Sequence, residues 1–549
     1  MTTTKVLGAS LGACVHVAGI QGFLGMCEDE GHETVFLGPA VPPRDLAQAV
    51  EKHNPDIVAV SYRLTAEAAA PLLRELKGLL EDKIRGGLRC VFGGTPPAAA
   101  VAEQSGFFER VFTGTESLDE IRSYIRGEKH QAGPGDYPAD LVGRIRSFHP
   151  YPLVRHHFGR PTLEETVAGV ERIAEAGVLD VLSIGPDQNA QASFFRPAEM
   201  DPAQDGAGGV PLRRAEDLEA IYAATRRGNF PLVRCYSGTR DLDKWAEMSL
   251  RTIHIAWAAI PLCWYSDLDG RSTRPLREAM AENLRVIRWY AEKGTPVEVN
   301  ESHQWSLRNA HDALAVTMAF LAAYNAKTAG VRNYVSQYMF NTPAGTSPAM
   351  DLAKMLAKIE LIEGLADENF TVFREVRAGL SSMPADFAAA KGHLAASGAV
   401  SMSLAPHIFH VVGFSEGDHA VTADELIESC KIARGAIELS LLGLPDPAGD
   451  PAIQERKAEL IAEAGILLEA LKELGRAGAG DPWTDPEVIA GAVEKGILDT
   501  PHFKSHRYAR GRIVTGIVGG ACRAVDPQMG ASIGERERLA DLQKDMSTG

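Results

Sequence analysis

The chain has 549 residues, of which 45% are hydrophobic and 23% charged, so we expect a globular protein with two or more domains. Its formal net charge of −16 argues against nucleic acid as a partner, because binding to a phosphate backbone needs a basic face. No apolar run approaches the roughly 20 residues that cross a bilayer, and the first residues lack an export signal, which predicts a cytoplasmic protein without a membrane partner.

Residues 1–128 are expected to form the first domain, because short β-rich runs alternate there with helical periods. The predicted strands are 5–8, 33–37, 57–61, 89–92 and 110–112, and helices such as 44–52 and 66–80 lie between them. This order predicts a doubly wound, flavodoxin-like α/β domain with a parallel sheet covered on both faces. Ligands of such sheets bind at the carboxyl ends of the strands.

Three predicted strand ends on that edge indicate a cofactor site. The loop after the first strand contains His16, three residues before Gly19 at the start of the helix. Ser61 ends the third predicted strand, and the pair Gly93-Gly94 ends the fourth. Together these loops describe a slot for a large flat cofactor with an imidazole beneath it, which favours a cobalt corrinoid.

This set of residues resembles the motif of the cobalamin-binding domain shared by carbon-skeleton mutases and methionine synthase. The family motif is Asp-x-His-x-x-Gly, then Ser-x-Leu, then Gly-Gly. In that family the histidine is the lower cobalt ligand, so the resemblance implies that His16 binds cobalt. It also implies that the nucleotide tail of the cofactor lies between the serine and the glycine pair. The cofactor contacts implied in this way are Ala13, Cys14, Val15, His16, Val17, Gly19, Ser61, Tyr62, Arg63, Gly93, Gly94, Thr95, Pro96, Gly114 and Thr115.

Two positions depart from the family motif. Cys14 stands in place of the aspartate, and Arg63 stands in place of the leucine. A carboxylate behind a ligating histidine orients the ring and raises its basicity, and a neutral thiol does both less well. We therefore expect His16 either to bind cobalt more weakly or to take its support from a backbone carbonyl or a water.

A second domain is predicted over residues 153–445, after a Gly/Pro-rich linker at 129–152. Long helical stretches alternate there with short strands, the clearest being 181–184, 232–234, 252–256, 297–300, 334–336, 371–373 and 400–404. Seven or eight such units favour a (β/α)8 TIM barrel over a second open sheet. Residues 446–549 are predicted to be a helical extension packed on the barrel.

The second domain resembles the large subunit of glutamate mutase (methylaspartate mutase), an adenosylcobalamin enzyme. The similar patches are 232–239, 330–333, 406–407, 494–499 and 505–508. The resemblance implies a carbon-skeleton mutase in which the small cobalamin subunit is fused before the barrel. Related barrels pair through exposed helices, so a homodimer is expected.

The same resemblance implies roles for four residues. Arg234 matches an arginine that grips a substrate carboxylate, whereas Glu301 stands where a second such arginine is expected. We therefore expect a small carboxylic or amino acid other than glutamate, with one carboxylate on Arg234 and a cationic or hydroxylated far end at Glu301. Tyr338 or His407 is expected to donate a hydrogen bond to the radical intermediate.

Two other functions remain open from the sequence. One is a methyltransferase, in which the same domain carries methylcobalamin to the barrel, although no Cys/His cluster indicates a zinc–thiolate site. The other is a non-catalytic cobalamin binder, which the departures at Cys14 and Arg63 keep open.

Overall fold

The computed structural model describes residues 3–114, 116, 118–127, 137–236, 238–476, 478 and 480–548. The chain divides into two compact units, Met1–Ala132 and Gly133–Gly549. Within the described residues, no helix is long and apolar enough to cross a membrane.

The first unit is built on a parallel sheet of five strands. The strands are β1 (Lys5–Ser10), β2 (Glu33–Phe36), β3 (Ile57–Tyr62), β4 (Arg89–Gly94) and β5 (Arg110–Phe112), in the spatial order β2-β1-β3-β4-β5. The helices are α1 (Ala18–Asp29), α2 (Pro43–His53), α3 (Ala66–Arg85), α4 (Pro96–Ser105) and α5 (Leu118–Ile125). Separate apolar clusters cover the two faces of the sheet, which explains why β3 is buried along its whole length. The flavodoxin-like prediction is confirmed.

The second unit contains a parallel barrel of eight strands. They are β6 (Leu153–Phe158), β7 (Val181–Ile184), β8 (Leu232–Cys235), β9 (Ala258–Ile260), β10 (Val297–Val299), β11 (Asn333–Phe340), β12 (Thr371–Ala378) and β13 (Ile408–His410). Their spatial order is β8-β7-β6-β13-β12-β11-β10-β9. The gap between β8 and β9 is bridged where the Ala256 amide donates to the Val233 carbonyl at 2.8 Å. The barrel is thus nearly closed, and the prediction of its fold is confirmed.

Helices surround the barrel and extend beyond it. The barrel helices are α6 (Leu141–Phe148), α7 (Leu163–Glu175), α8 (Gln188–Ser193), α9 (Ala215–Ala224), α10 (Leu242–Ile253), α11 (Leu276–Glu292), α12 (Ser302–Ser306), α13 (Asp312–Thr328), α14 (Pro348–Glu363), α15 (Phe387–Ser401) and α16 (Ala423–Leu441). The extension contains α17 (Pro451–Gly475), α18 (Pro486–Lys495), α19 (Glu535–Thr548) and the hairpin β14 (Thr515–Val518) and β15 (Ala521–Ala524). Apolar residues of α17 and α18 belong to the same core cluster as the barrel helices.

Helix α6 closes the amino end of the barrel, although its residues fall within the predicted linker. Leu141 and Ile145 of α6 pack in one cluster with Leu153, Val181 and Ile408, which begin β6, β7 and β13. The segment predicted as a linker therefore contains one helix of the barrel. The part of that linker from 129 to 136 lies outside the described residues.

Two predicted strands are wrong. Residues 252–256 include the end of α10, and the neighbouring strand β9 begins only at Ala258. Residues 400–404 end α15 and continue into a 3-10 turn, Met402–Leu404, and β13 begins at Ile408. In both places an established helix continues through a few β-favouring residues, because extending a helix costs less than ending it.

Candidate functional site

The carboxyl edge of the first sheet brings together three of the predicted loops. In the strand register Ser10 pairs with Ser61, and Ser61 pairs with Gly93. The hydroxyl groups of Ser10 and Ser61 both donate to the His16 carbonyl oxygen, at 3.3 and 3.4 Å. The serines therefore fix the backbone of His16, and its side chain stays exposed above the edge.

Cys14 occupies the position behind the imidazole. Its thiol is fully buried, with Sγ 3.6 Å from His16 Nδ1. The Arg63 amide donates to the same sulfur at 3.4 Å. No described residue hydrogen-bonds Nε2 of His16, so this nitrogen is the one that can face a cobalt ion. The thiol contacts the ring where the family places its carboxylate.

The glycines of this edge are required for different reasons. A Cβ on Gly94 would lie 2.5 Å from the Tyr62 carbonyl oxygen, so packing within the domain demands glycine there. A Cβ on Gly93 or Gly19 would meet no described atom within 4 Å. No described residue fills that space, and a cofactor that lies close to the backbone would use it. The residues at this edge therefore fit a flat corrinoid.

The other predicted cofactor contacts lie around the same edge, except for the buried side chain of Tyr62 and for Thr115. Val15 is 63% exposed, which suits contact with an apolar ring face. The Tyr62 side chain is buried in the core, so only its backbone reaches the edge. Gly114 donates its amide to the Glu116 carboxylate at 2.9 Å, and Thr115 lies outside the described residues. The exposed or half-buried contacts are Ala13, Val15, Val17, Gly19, Arg63, Gly93, Gly94, Thr95, Pro96 and Gly114.

The barrel lumen holds four side chains linked by three hydrogen bonds, and a contact of 3.5 Å without a hydrogen bond brings the two ends of this chain together. Arg155 binds the Glu375 carboxylate and places Nη2 3.0 Å from His157 Nε2. His157 Nδ1 lies 3.0 Å from His410 Nε2, and His410 Nδ1 lies 3.5 Å from the Glu375 carboxylate. A guanidinium only donates, so His157 accepts through Nε2 and its proton sits on Nδ1. Burial and the nearby Arg155 hold the pKa of both histidines well below the ordinary value.

Arg234 lies in the same lumen but is enclosed. Its Nη2 is 3.5 Å from a Glu298 oxygen, and within the described residues none of its three nitrogens makes a hydrogen bond. The guanidinium is packed against aromatic rings, 4.8 Å from the centre of Trp257 and 5.4 Å from that of Tyr236. Burial lowers its pKa. The structure thus places Arg234 in the lumen, with Tyr236 against it.

Glu301 does not face the lumen. Its carboxylate accepts the amides of Leu262 at 2.9 Å and Cys263 at 3.0 Å, and the Trp305 indole at 2.7 Å. These three hydrogen bonds hold a fully buried carboxylate, whose pKa burial raises. Glu301 therefore holds the loop after β9, and its binding of a substrate stays a prediction.

Tyr338 and His407 are also placed away from the carboxyl edge of the lumen. Gln337 reaches the lumen residue Glu298 at 3.1 Å, so strand alternation points Tyr338 outward, into the core under the helices. His407 precedes β13, and its carbonyl accepts the amide of Leu153, the first residue of β6, at 2.9 Å. His407 therefore lies at the amino end of the barrel, and the expected hydrogen bond from Tyr338 or His407 to a radical intermediate stays a prediction.

Sequence reasoning missed most of the lumen. The unpredicted ionisable or aromatic residues there are Arg155, His157, Tyr236, Glu298, Glu375, Arg377 and His410. A signal existed, because charged side chains at alternate positions of a largely buried strand, as in Glu-Val-Arg at 375–377, indicate a polar barrel interior.

Comparisons with known proteins identify the first unit. Residues 4–122 match the family model of the B12 binding domain, and that part of the chain is a B12-binding domain. The comparison with curated proteins found no match. Among solved structures, a cobalamin-binding protein from Desulfitobacterium hafniense is 27% identical, with 23% of this chain and 59% of that chain covered and a TM-score of 0.20.

Two further structures are similar over longer spans at lower identity. A truncated 3-deoxy-D-arabino-heptulosonate 7-phosphate synthase from Thermotoga maritima is 12% identical, covers 53% of this chain and 89% of its own, and has a TM-score of 0.32. The cobalamin-dependent S-adenosylmethionine radical enzyme OxsB is 11% identical, covers 89% and 70%, and has a TM-score of 0.18.

Proposed function

We propose that the protein is an adenosylcobalamin-dependent radical isomerase, a carbon-skeleton mutase of the glutamate mutase type, acting on a small carboxylic or amino acid. The observation that carries the proposal is the ionic lumen of the barrel, in the same chain as a B12-binding domain. Among the described residues, Arg377 in that lumen has no carboxylate within ion-pair distance, which favours an anionic ligand, because an unpaired buried charge is costly.

The residues of the first unit would hold the cofactor. His16 would bind the cobalt ion, and the open space at Gly93 and Gly19 would admit the cofactor. Adenosylcobalamin, when bound, supplies the means to abstract hydrogen from unactivated carbon. The barrel residues would exclude water and fix the orientation of the substrate.

The cysteines of the barrel favour this function over zinc-dependent methyl transfer. A zinc site for thiol activation needs thiolates that are deprotonated and close together. Burial raises the pKa of Cys235 to about 12 and that of Cys263 well above its ordinary value. Among the described residues, no group of three or more His, Cys, Asp or Glu side chains is placed to hold a metal ion.

The test is anaerobic electron paramagnetic resonance of the full chain loaded with adenosylcobalamin. A panel of small hydroxy, amino and branched carboxylic acids is added, and transfer of deuterium between substrate and cofactor is followed by mass spectrometry. One acid should give a cob(II)alamin signal coupled to an organic radical. The His16→Ala variant should lose the signal, and the surface variant Arg285→Met should keep it. Demethylation of methylcobalamin without any radical would instead establish a methyltransferase.

A further inference from the structure

The lumen contains a second arginine that differs from Arg234 in its surroundings. Arg377 lies two residues after Glu375 on β12, so it faces the same interior, and its register partner on β13 is His410. Its Nε donates to the Ala378 carbonyl at 3.3 Å. No described carboxylate lies within ion-pair distance of its guanidinium, and the side chain is only half-buried. The fork of Nη1 and Nη2 is therefore free to bind a ligand.

Tyr236 lies in the same part of the lumen as this fork, because its ring contacts His157, which lies 3.0 Å from His410, the register partner of Arg377. Tyr236 is half-buried, and its hydroxyl has no described hydrogen-bond partner. Its ring stacks on His157, with centroids 4.9 Å apart and an interplanar angle of 15°. Both nitrogens of His157 are engaged by Arg155 and His410, so the imidazole can serve only as a surface on which the tyrosine rests.

Arg234 is less accessible to a ligand than Arg377. All three of its nitrogens are enclosed, and the Tyr236 ring lies against it. A ligand that enters from the carboxyl end of the barrel therefore reaches the Tyr236 hydroxyl and the Arg377 fork before it reaches Arg234.

We propose that the carboxylate of the substrate is bound by Arg377 and Tyr236, with the linked side chains Arg155–His157–His410–Glu375 positioning the tyrosine. This site deepens the proposed isomerase function and rests on it for the identity of the ligand as a substrate. A guanidinium fork binds a carboxylate with two parallel hydrogen bonds, and a phenol adds a third donor. The ligand class is a small acid with one carboxylate at the mouth of the lumen.

The experiment is calorimetric titration of the full chain, without cobalamin, with sodium propanoate as the anionic probe and 1-propanol as its uncharged match. Propanoate should bind and propanol should not. Arg377→Met should weaken propanoate binding by about tenfold or more, since a charge-assisted contact is lost. Tyr236→Phe keeps the stacked ring and should weaken binding by roughly threefold to tenfold. Arg285→Met removes a surface arginine paired with Asp243 and should change nothing.

Three results would overturn this site: wild-type protein that does not bind propanoate at millimolar concentrations, unchanged binding in Arg377→Met, or binding lost in Arg234→Met alone. If Arg377→Met does not fold, as judged by its melting curve, Arg377→Lys and Tyr236→Phe give the answer. Different results would contradict the isomerase proposal and the proposed carboxylate site. Propanoate binding without a radical signal for any acid would contradict the isomerase proposal. A radical signal with unchanged KM in Arg377→Lys and Tyr236→Phe would contradict the proposed site.

Discussion

Replacing Cys14 by aspartate tests whether His16 is the cobalt ligand and whether the thiol limits it. Sγ of Cys14 lies 3.6 Å from His16 Nδ1, and sulfur is a weak acceptor. A carboxylate oxygen reaches roughly 0.6 Å further from Cβ than sulfur does, which shortens the contact to about 3.0 Å, an ordinary hydrogen-bond distance. The second oxygen can accept the Arg63 amide, which now donates to the sulfur.

The expected gain follows from the role of such partners in metal sites. A carboxylate that accepts the Nδ1 proton makes Nε2 a stronger ligand, and partners of this kind change metal affinity by about 10- to 100-fold. Cys14→Asp should therefore bind cobalamin about tenfold more tightly, which is about 1.4 kcal/mol. Cys14→Ala should bind at most as tightly as the wild type. Cys90 is also buried in this sheet but belongs to β4, so Cys90→Ala is the matched control.

The assay has two readouts. Titration of the full chain with hydroxocobalamin gives the affinity, and electron paramagnetic resonance of cob(II)alamin on protein labelled with nitrogen-15 histidine shows whether the histidine coordinates cobalt. Cys14→Asp should increase the fraction that shows histidine coupling. Unchanged affinity together with an unchanged coupling pattern would refute the reasoning, because the carboxylate would then have no ligand to support.

Four further outcomes are expected. Gly94→Ala should destabilise the first unit by about 1–3 kcal/mol in denaturant unfolding, because its Cβ meets the Tyr62 carbonyl, whereas Gly93→Ala should fold normally and lose cobalamin affinity. Glu375→Gln should cost about 3 kcal/mol or more, because Arg155 loses its buried carboxylate, while Asp243→Asn at a surface pair should cost less than about 1 kcal/mol. Glu301→Gln should lower the melting temperature, because its amide cannot accept three donors, but should leave propanoate binding unchanged. Burial alone would raise the pKa of Glu535, but His311 and Arg538 lower it to about 2. The ionised carboxylate therefore contributes its full stabilisation of the fold at pH values above 4.5, its ordinary pKa. About 3 kcal/mol should therefore be lost as the pH falls from 4.5 towards 2, and Glu535→Gln should remove that dependence in urea unfolding at a series of pH values.

The fold and the cofactor edge could be predicted because their signals are local. The strands of the first unit are separated by helices with clear apolar periods, and His16 lies only a few residues from the end of β1. The errors at 252–256 and 400–404 arise where strands are short. β9 and β13 have three residues each, too few to show an alternating pattern beside a long helix.

The lumen could not be predicted in the same way, because its pairings join distant parts of the chain. Arg155 and Glu375 are 220 residues apart, and His157 and His410 are 253 apart. None of the predicted strands contains these four residues, and the sequence does not show which strands are neighbours or which face of each strand points inward.

This difference explains why a resemblance in sequence does not show which polar atoms of the matched residues remain free. Glu301 does follow a strand at the carboxyl end, yet three donors from its own surroundings consume its carboxylate. Arg234 does enter the lumen, yet aromatic rings enclose it. A side chain can bind a substrate only through polar atoms that its neighbours leave without a hydrogen bond. Which atoms these are depends on contacts between distant parts of the chain. By this criterion the candidates move from Arg234 and Glu301 to Arg377 and Tyr236, which keep both free polar atoms and access to the lumen.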